Sequence, residues 1–444
     1  MRILIISAIA LLSIPLIILP EDWFGWLILY LALAVPVAYR PLRETRAVLV
    51  ASLSCVLLFA ILAVVNSYFM ILPGGGVDAS RFLRQATMYS QTSSLPDYHG
   101  GSSAFVIYLS TIFSVFGPSS LSAHALSALA SSLSLAAFVR LRNLLCGSKQ
   151  VRPWLIIAFC VLPSALMFRS AVLREAWEGL FFISAVYYLC RLSTKTTSRS
   201  WIGFISFGLL GALLHSAFAL YLLGSIVVLA MARTFTSDRP VIVRVAQLAA
   251  ASMAFVPIAI AGISIAERDN RVAAVSEGFR DQSGSPTVPG FGSEGRGDAT
   301  YATQPGMQGN AGTRVLAGFF YYWAAPLPWQ IRGPSDLLVA LENLFRVALL
   351  ISGFFLYRSS SGQQRSTLFI SLSSVVLLEM IWSVGTSNWG TAVRHHIPAY
   401  GVLLASAIVP VRLRWKVSHE ASPKLRLSPV ARVIRQQNSA GIPR

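Results

Sequence analysis

Three groups of side chains in this sequence have types and spacings suited to chemistry. The first lies in the polar stretch 74–103, GGGVDASRFLRQATMYSQTSSLPDYHGGSS, which carries Asp78, Arg81, Asp97 and His99. A carboxylate facing a cleft can take a proton from an attacking hydroxyl as a general base. Asp78 is the best single candidate, and Asp97 is its nearest acidic alternative. Arg81, three residues after Asp78, can keep that carboxylate ionised or contact a phosphate. Asp78 also opens a helix-forming run, where Asp is favoured as an N-cap, and the two roles are compatible. The second group is Arg169, Arg174, Glu175 and Glu178. A guanidinium fork matches phosphate oxygens, and Arg174 can equally pair with Glu178 four residues on. The third is Arg394-His395-His396. Its functional reading is pyrophosphate recognition and stabilisation of a departing negative charge, and its plain reading is interfacial anchoring.

The elements that must position these groups are set by composition. The 444 residues are 55% hydrophobic and only 12% charged, about half the charged share of a soluble globular protein. Apolar runs long enough to cross a bilayer recur from end to end, which predicts an all-α, polytopic helical membrane protein. The net charge of +18 is distributed as short basic clusters between apolar runs and in the tail. That is the positive-inside pattern and not a nucleic-acid stripe, so no nucleic-acid partner is expected. The four cysteines have no CxxC or Cys/His spacing, which argues against a zinc site or a disulfide framework. Gly290-x-Gly292-x-x-Gly295 matches a dinucleotide pattern by letter but lacks the strand and apolar helix that the pattern needs. Walker A, HExxH and GxSxG sequences are absent.

Taken in order, the apolar runs predict about twelve spans, with one or two further juxtamembrane or re-entrant helices on the outer face. They fall at 3–20, 23–39, 47–70, 119–139, 153–168 and 176–190, then two short spans within 201–232 hinged near His215, then 241–265, 335–357, 367–385 and 396–411. The run 104–116 is short for a span. Treating it as in-plane or re-entrant keeps Arg140, Arg142, Lys149, Arg152, Arg191, Lys195 and Arg199 on the cytoplasmic side. The segment 315–330, with FFYYWAAPLPW, predicts a second interfacial helix, and Trp329, Tyr321 and Tyr322 are suited to sugar faces or to an aromatic belt. Residues 1–411 thus form one bundle with outer loops 73–103 and 266–314, the latter suited to a lid over bound lipid. Residues 412–444 form a basic cytoplasmic tail held near anionic lipid. Both termini are cytoplasmic on this count. Arg346 and Glu379, deep in their spans, are expected to pair.

Several short motifs resemble the GT-C superfamily of polyprenyl-phosphate-sugar-dependent glycosyltransferases. They are Asp78-Ala79…Phe82 in a first outer loop, the helix FVIYLSTIFSVFGPSS at 105–120, and Pro163-Ser164 followed by Arg169-Ser170 and Arg174-Glu175. Two later segments are similar to bacterial surface-polysaccharide polymerase-like membrane proteins: Ala325-Pro326-Leu327-Pro328-Trp329, and Asn388-Trp389-Gly390-Thr391-Ala392-Val393-Arg394-His395-His396. The chain departs from the GT-C pattern where Ser80 and Arg81 follow Asp78 in place of a second acidic residue, and at His99-Gly100-Gly101-Ser102. The resemblance implies a bacterial inner-membrane enzyme acting on the outer face. It would use a polyprenyl-phosphate- or -pyrophosphate-linked sugar or glycan, with Asp78 as base and Arg81, Arg174 and Arg394 on phosphate. Secondary candidates are Asp97, His99, Glu175, Glu178, Trp329 and Asn388. No cofactor is implied, a divalent metal stays open, and the partners are the bilayer and polysaccharide assembly proteins. The alternatives are a flippase of lipid-linked glycan and a non-catalytic assembly partner.

Overall fold

The computed structural model describes residues 20–69, 76–92, 101–147, 151–235, 311–386 and 389–407. Among them the regular structure is helical. The helices are α1 (Trp23–Ala38), α2 (Arg46–Tyr68), α3 (Gly76–Thr92), α4 (Gly101–Phe116), α5 (Ser120–Cys146), α6 (Pro153–Val161) and α7 (Pro163–Ser170). They continue with α8 (Glu175–Thr194), α9 (Ser198–Leu214), α10 (Ala217–Phe235), α11 (Ala311–Ala324), α12 (Pro334–Ser359), α13 (Gly362–Gly385) and α14 (Trp389–Ser406). Five of them, α2, α5, α10, α12 and α13, are long and apolar enough to cross a membrane, and α6–α7, bent by 65°, would count as a sixth. This is a helical membrane protein.

The described residues do not supply the expected count of about twelve spans. Helices α1 and α9 have only 16 and 17 residues, short of the roughly 20 that a bilayer core asks for. Helices α8 and α14 carry Glu175, Glu178, Arg394, His395 and His396, which dilute their apolar content. The expected spans 3–20 and 241–265, the tail 412–444 and most of the 266–314 loop lie outside the described residues.

Cross-contacts sort the helix ends into two sets. At one end Tyr68 and Ser119 both donate hydrogen bonds to the Asp22 carboxylate, which brings together the start of α1, the end of α2 and the start of α5. At the other, Arg142 donates to the carbonyls of Ala405 and Ala407, 2.7 Å each, and Arg233 donates to Leu192 O at 2.9 Å. Gln364 there reaches Leu145 O at 3.1 Å. Chain order then places Arg40, Arg43 and Arg46, Arg191 and Lys195, and Arg358 and Arg365 at this second, basic end.

Helix α4 does not traverse the bundle. Its first turn meets Arg174 through Ser102, and its last residue, Phe116, stacks on Phe24 at 3.7 Å. Both contacts belong to the Asp22 end, so α4 lies across that end with α3 packed against it. Gly117 (φ +86°) takes the left-handed conformation that ends α4, and Ser119 then caps α5 through Ser122 N at 3.0 Å.

The α6–α7 break exposes backbone groups that only side chains can meet in an apolar interior. Arg169 and Tyr400 donate to the Phe159 and Ala158 carbonyls at 3.3 and 2.6 Å. Glu342 accepts from Ser164 N at 2.8 Å, and at the far end of α7 Asn66 and His124 meet Ser170 O at 3.2 and 3.0 Å. Elsewhere close packing relies on small residues. A Cβ on Gly25 would lie 2.8 Å from both Leu121 Cγ and the backbone nitrogen of Ser122. Because that neighbour is backbone, Gly25→Ala is expected to separate α1 from α5 and cost about 1–3 kcal/mol. A lowered melting temperature of the purified protein would show it.

Candidate functional site

The site is built at the Asp22 end of the bundle, where the starts of α3, α8 and α14 meet. Helix α3 begins at Gly76, so Asp78 sits in its first turn and is not its N-cap. A carboxylate there is favoured by the helix dipole. Asp78 forms an ion pair with Arg394 Nη1, its side chain keeping 43% exposure. Arg394 is also held from α8: Glu175 Oε1 lies 2.7 Å from Nε and 2.6 Å from Nη2. Glu175 is buried, with only 2% of its side chain exposed. One guanidinium therefore joins an accessible carboxylate to a buried one, and its planar fork fixes the geometry. The partner of Asp78 is Arg394 and not Arg81, which is exposed on α3.

Next to this array, Arg174 Nε lies 3.2 Å from Glu178 Oε1, the pairing that the four-residue spacing predicts. Arg174 Nη1 also donates to Leu214 O at 3.1 Å and to Ser102 Oγ at 3.5 Å. It thereby joins the end of α9 and the first turn of α4 to α8. Half-buried Trp177 of α8 and Tyr108 of α4 meet edge to face at 5.6 Å. Across these residues the site has an accessible carboxylate and two anchored guanidinium groups.

The other expected residues separate. His395 stacks on Trp382 at 5.2 Å, with Nδ1 3.1 Å from Thr386 Oγ1 and His215 5.4 Å away edge to face. It adjoins the site as part of an aromatic cluster at the α9–α10 break, where His215 falls as expected. His396 is 1% exposed and engages Glu379 and the Tyr322 carbonyl, so it is not open to a headgroup. Helical geometry explains why: consecutive residues on α14 point about 100° apart, so the RHH run cannot act as a unit. Arg169 leaves the second group, buried against the Phe159 ring at 4.2 Å. Arg346 bonds Asn343 and does not pair with Glu379. Trp329 is 76% exposed, whereas Tyr322 is buried. Asp97, His99 and Asn388 lie outside the described residues.

Sequence reasoning missed Glu342, Asn343 and His124, each buried and hydrogen-bonded across the bundle. A signal existed for Glu342, since an acid four residues before Arg346 in an apolar run is costly without a role. Among the described residues no three His, Cys, Asp or Glu side chains converge as a metal site. Compared with known proteins, the chain matches no family model, no curated protein and no solved structure.

The buried half of the array should be the structural half. Removing Arg394 leaves Glu175 buried and unpaired, which typically costs about 3–5 kcal/mol. We expect Arg394→Ala to lower the melting temperature sharply and Glu175→Gln to restore part of the loss in that background. Asp78→Asn alone should change stability by no more than about 1 kcal/mol, as for exposed pairs.

Proposed function

We propose that this chain is a glycosyltransferase or oligosaccharide polymerase of surface-polysaccharide assembly in the bacterial inner membrane. Its donor is a sugar or glycan on a polyprenyl phosphate or pyrophosphate, used at the outer face. The observation that carries the proposal is the half-exposed Asp78 carboxylate held by Arg394, which Glu175 anchors from below. In this reading the Asp22 end is extracytoplasmic and the basic end cytoplasmic, following the positive-inside rule. The shorter apolar helices and the polar helices α8 and α14 are also membrane-embedded, and with the two apolar runs outside the described residues the spans number about twelve.

In the reaction the donor phosphate takes Asp78's place on Arg394, with Arg174 as a second cation within the same cluster. That exchange frees the Asp78 carboxylate. It accepts the proton of the acceptor hydroxyl as the hydroxyl oxygen attacks the sugar's anomeric carbon. The bond from that carbon to the phosphate oxygen breaks, and the lipid phosphate leaves with the electron pair, its charge met by the guanidinium groups. Energy comes from the sugar–phosphate bond, so no nucleotide is needed.

A flippase of lipid-linked glycan is the second reading. It is favoured by buried Glu342, Arg346, Glu379 and His396, more ionisable groups at depth than the sequence suggested. One substitution separates the two. Asp78→Asn should leave membrane abundance unchanged and reduce long-chain glycan at least about 100-fold, with lipid-linked precursor accumulating on the outer face. Precursor accumulating on the cytoplasmic face would establish the flippase instead, and unchanged glycan would remove Asp78 from catalysis.

A further inference from the structure

We propose that the groove walled by α10 and α12 and floored by α13 binds an anionic glycerophospholipid, its acyl chains inside and its phosphate on Arg358 and Arg365. Helices α10 and α12 each pack on α13, and the cavity left among them has a volume of about 930 Å³. Three features carry the argument: the chemistry of the lining, its length and the charge at its mouth. The lining is hydrocarbon in character, with Val227 and Met231 from α10, Ile351 from α12 and Val376 from α13. The hydroxyls of Ser373 and Tyr357 are the only polar side-chain groups among the lining residues. Such a wall favours apolar chains and offers a sugar or an extended peptide almost nothing to bond.

The length fits one leaflet. The lining stretches 224–231 and 350–357 each cover about 10 Å of helix axis, and 369–380 covers about 16 Å. The hydrocarbon core of a bilayer is about 30 Å thick, so one leaflet is about 15 Å deep. A crossing helix, from this chain or from a second copy, needs a groove about twice as long. Met231 and Tyr357 lie in the last turns of α10 and α12, and Phe369 lies early in α13. The groove therefore starts at the basic end of the bundle and stops near its middle.

Two cations stand at that mouth. The Arg365 guanidinium lies over the Tyr357 ring at 5.0 Å, and that of Arg358 lies over the Phe354 ring at 5.9 Å. Both rings line the groove, with centroids 6.2 Å apart, and Phe369 adds a third ring 6.3 Å from Tyr357. The ring contacts hold each cation in place without supplying an acceptor for its N–H donors. Arg358 and Arg365 are exposed, and neither pairs with a carboxylate among the described residues, whose ion pairs lie elsewhere. A guanidinium fork matches the oxygens of a phosphodiester. Phosphatidylcholine carries the same phosphate, but its ammonium returns a positive charge beside the arginines, so a net anionic headgroup is favoured.

The site lies at the opposite end of the bundle from Arg394 and stands independently of the transferase and flippase readings. Full-length protein in detergent, titrated with phosphatidylglycerol or phosphatidylcholine, tests it by native mass spectrometry and by melting temperature. Phosphatidylglycerol should survive washing and raise the melting temperature, and phosphatidylcholine should do neither. The double variant Arg358→Gln, Arg365→Gln should weaken phosphatidylglycerol binding by about tenfold or more, as expected for loss of hydrogen bonds to a charged group. Ser373→Phe fills the floor of the groove, leaves both cations in place and should weaken binding as well. If Ser373→Phe does not accumulate, the double variant decides, since its two positions are exposed. Equal retention of the two lipids overturns the proposal, as does unchanged phosphatidylglycerol binding in either variant. Displacement of phosphatidylglycerol by a polyprenyl phosphate at equal concentration overturns the choice of ligand.

Discussion

The Arg394 guanidinium is the interaction on which the arrangement at the Asp22 end depends. It is the point where α3, α8 and α14 are joined by charge, through Asp78 and Glu175. Water lowers the worth of such a pair at a surface, but around Glu175 water is nearly absent. The buried pair therefore fixes position, while the exposed one stays exchangeable. A ligand that can compete for one face of the guanidinium meets a cation already oriented and need not pay to organise it. This division of a single residue into a fixed and a free side makes the cluster a candidate for chemistry and not only for stability.

The same constraint governs the backbone. Breaking a helix inside an apolar bundle strands donors and acceptors that lipid cannot satisfy. At the α6–α7 break, side chains from α7, α12 and α14 meet them, and at the far end of α7 side chains from α2 and α5 meet the Ser170 carbonyl. At the α9–α10 break, Arg174 takes the last carbonyl of α9. These breaks are thus knots that tie several helices together. They also account for residues whose polarity looks functional in the sequence. Arg169 here serves the Phe159 carbonyl, Ser170 offers its own carbonyl to Asn66 and His124, and Glu342 caps a half-helix.

Charge at depth therefore has two explanations in this molecule. Some of it closes backbone valences. The His396–Glu379 pair does so only in part, through the Tyr322 carbonyl in the last turn of α11, and it also joins α13 to α14 directly. His396 lies two residues after Arg394, so one helix carries both this buried pair and the candidate site.

By itself the sequence determined the helical membrane class, because apolar runs of bilayer length admit no other backbone solution. It also located the hinge near His215 and a short apolar helix over 104–116, which runs over 101–116. However, it read 153–168 as one unbroken span and began the last helix at 396, where the structure breaks the first at Leu162 and starts the second at Trp389. The Arg174–Glu178 contact was legible too, being local to one helix. What only the tertiary structure decided were the partners across helices. Asp78 is 316 residues from Arg394 in the chain, and no periodicity encodes which guanidinium meets it. Nor could the sequence separate Arg394, His395 and His396, which are adjacent in the chain but point to different neighbours around α14. Local signals fix a helix; the register and rotation of one helix against another fix the site.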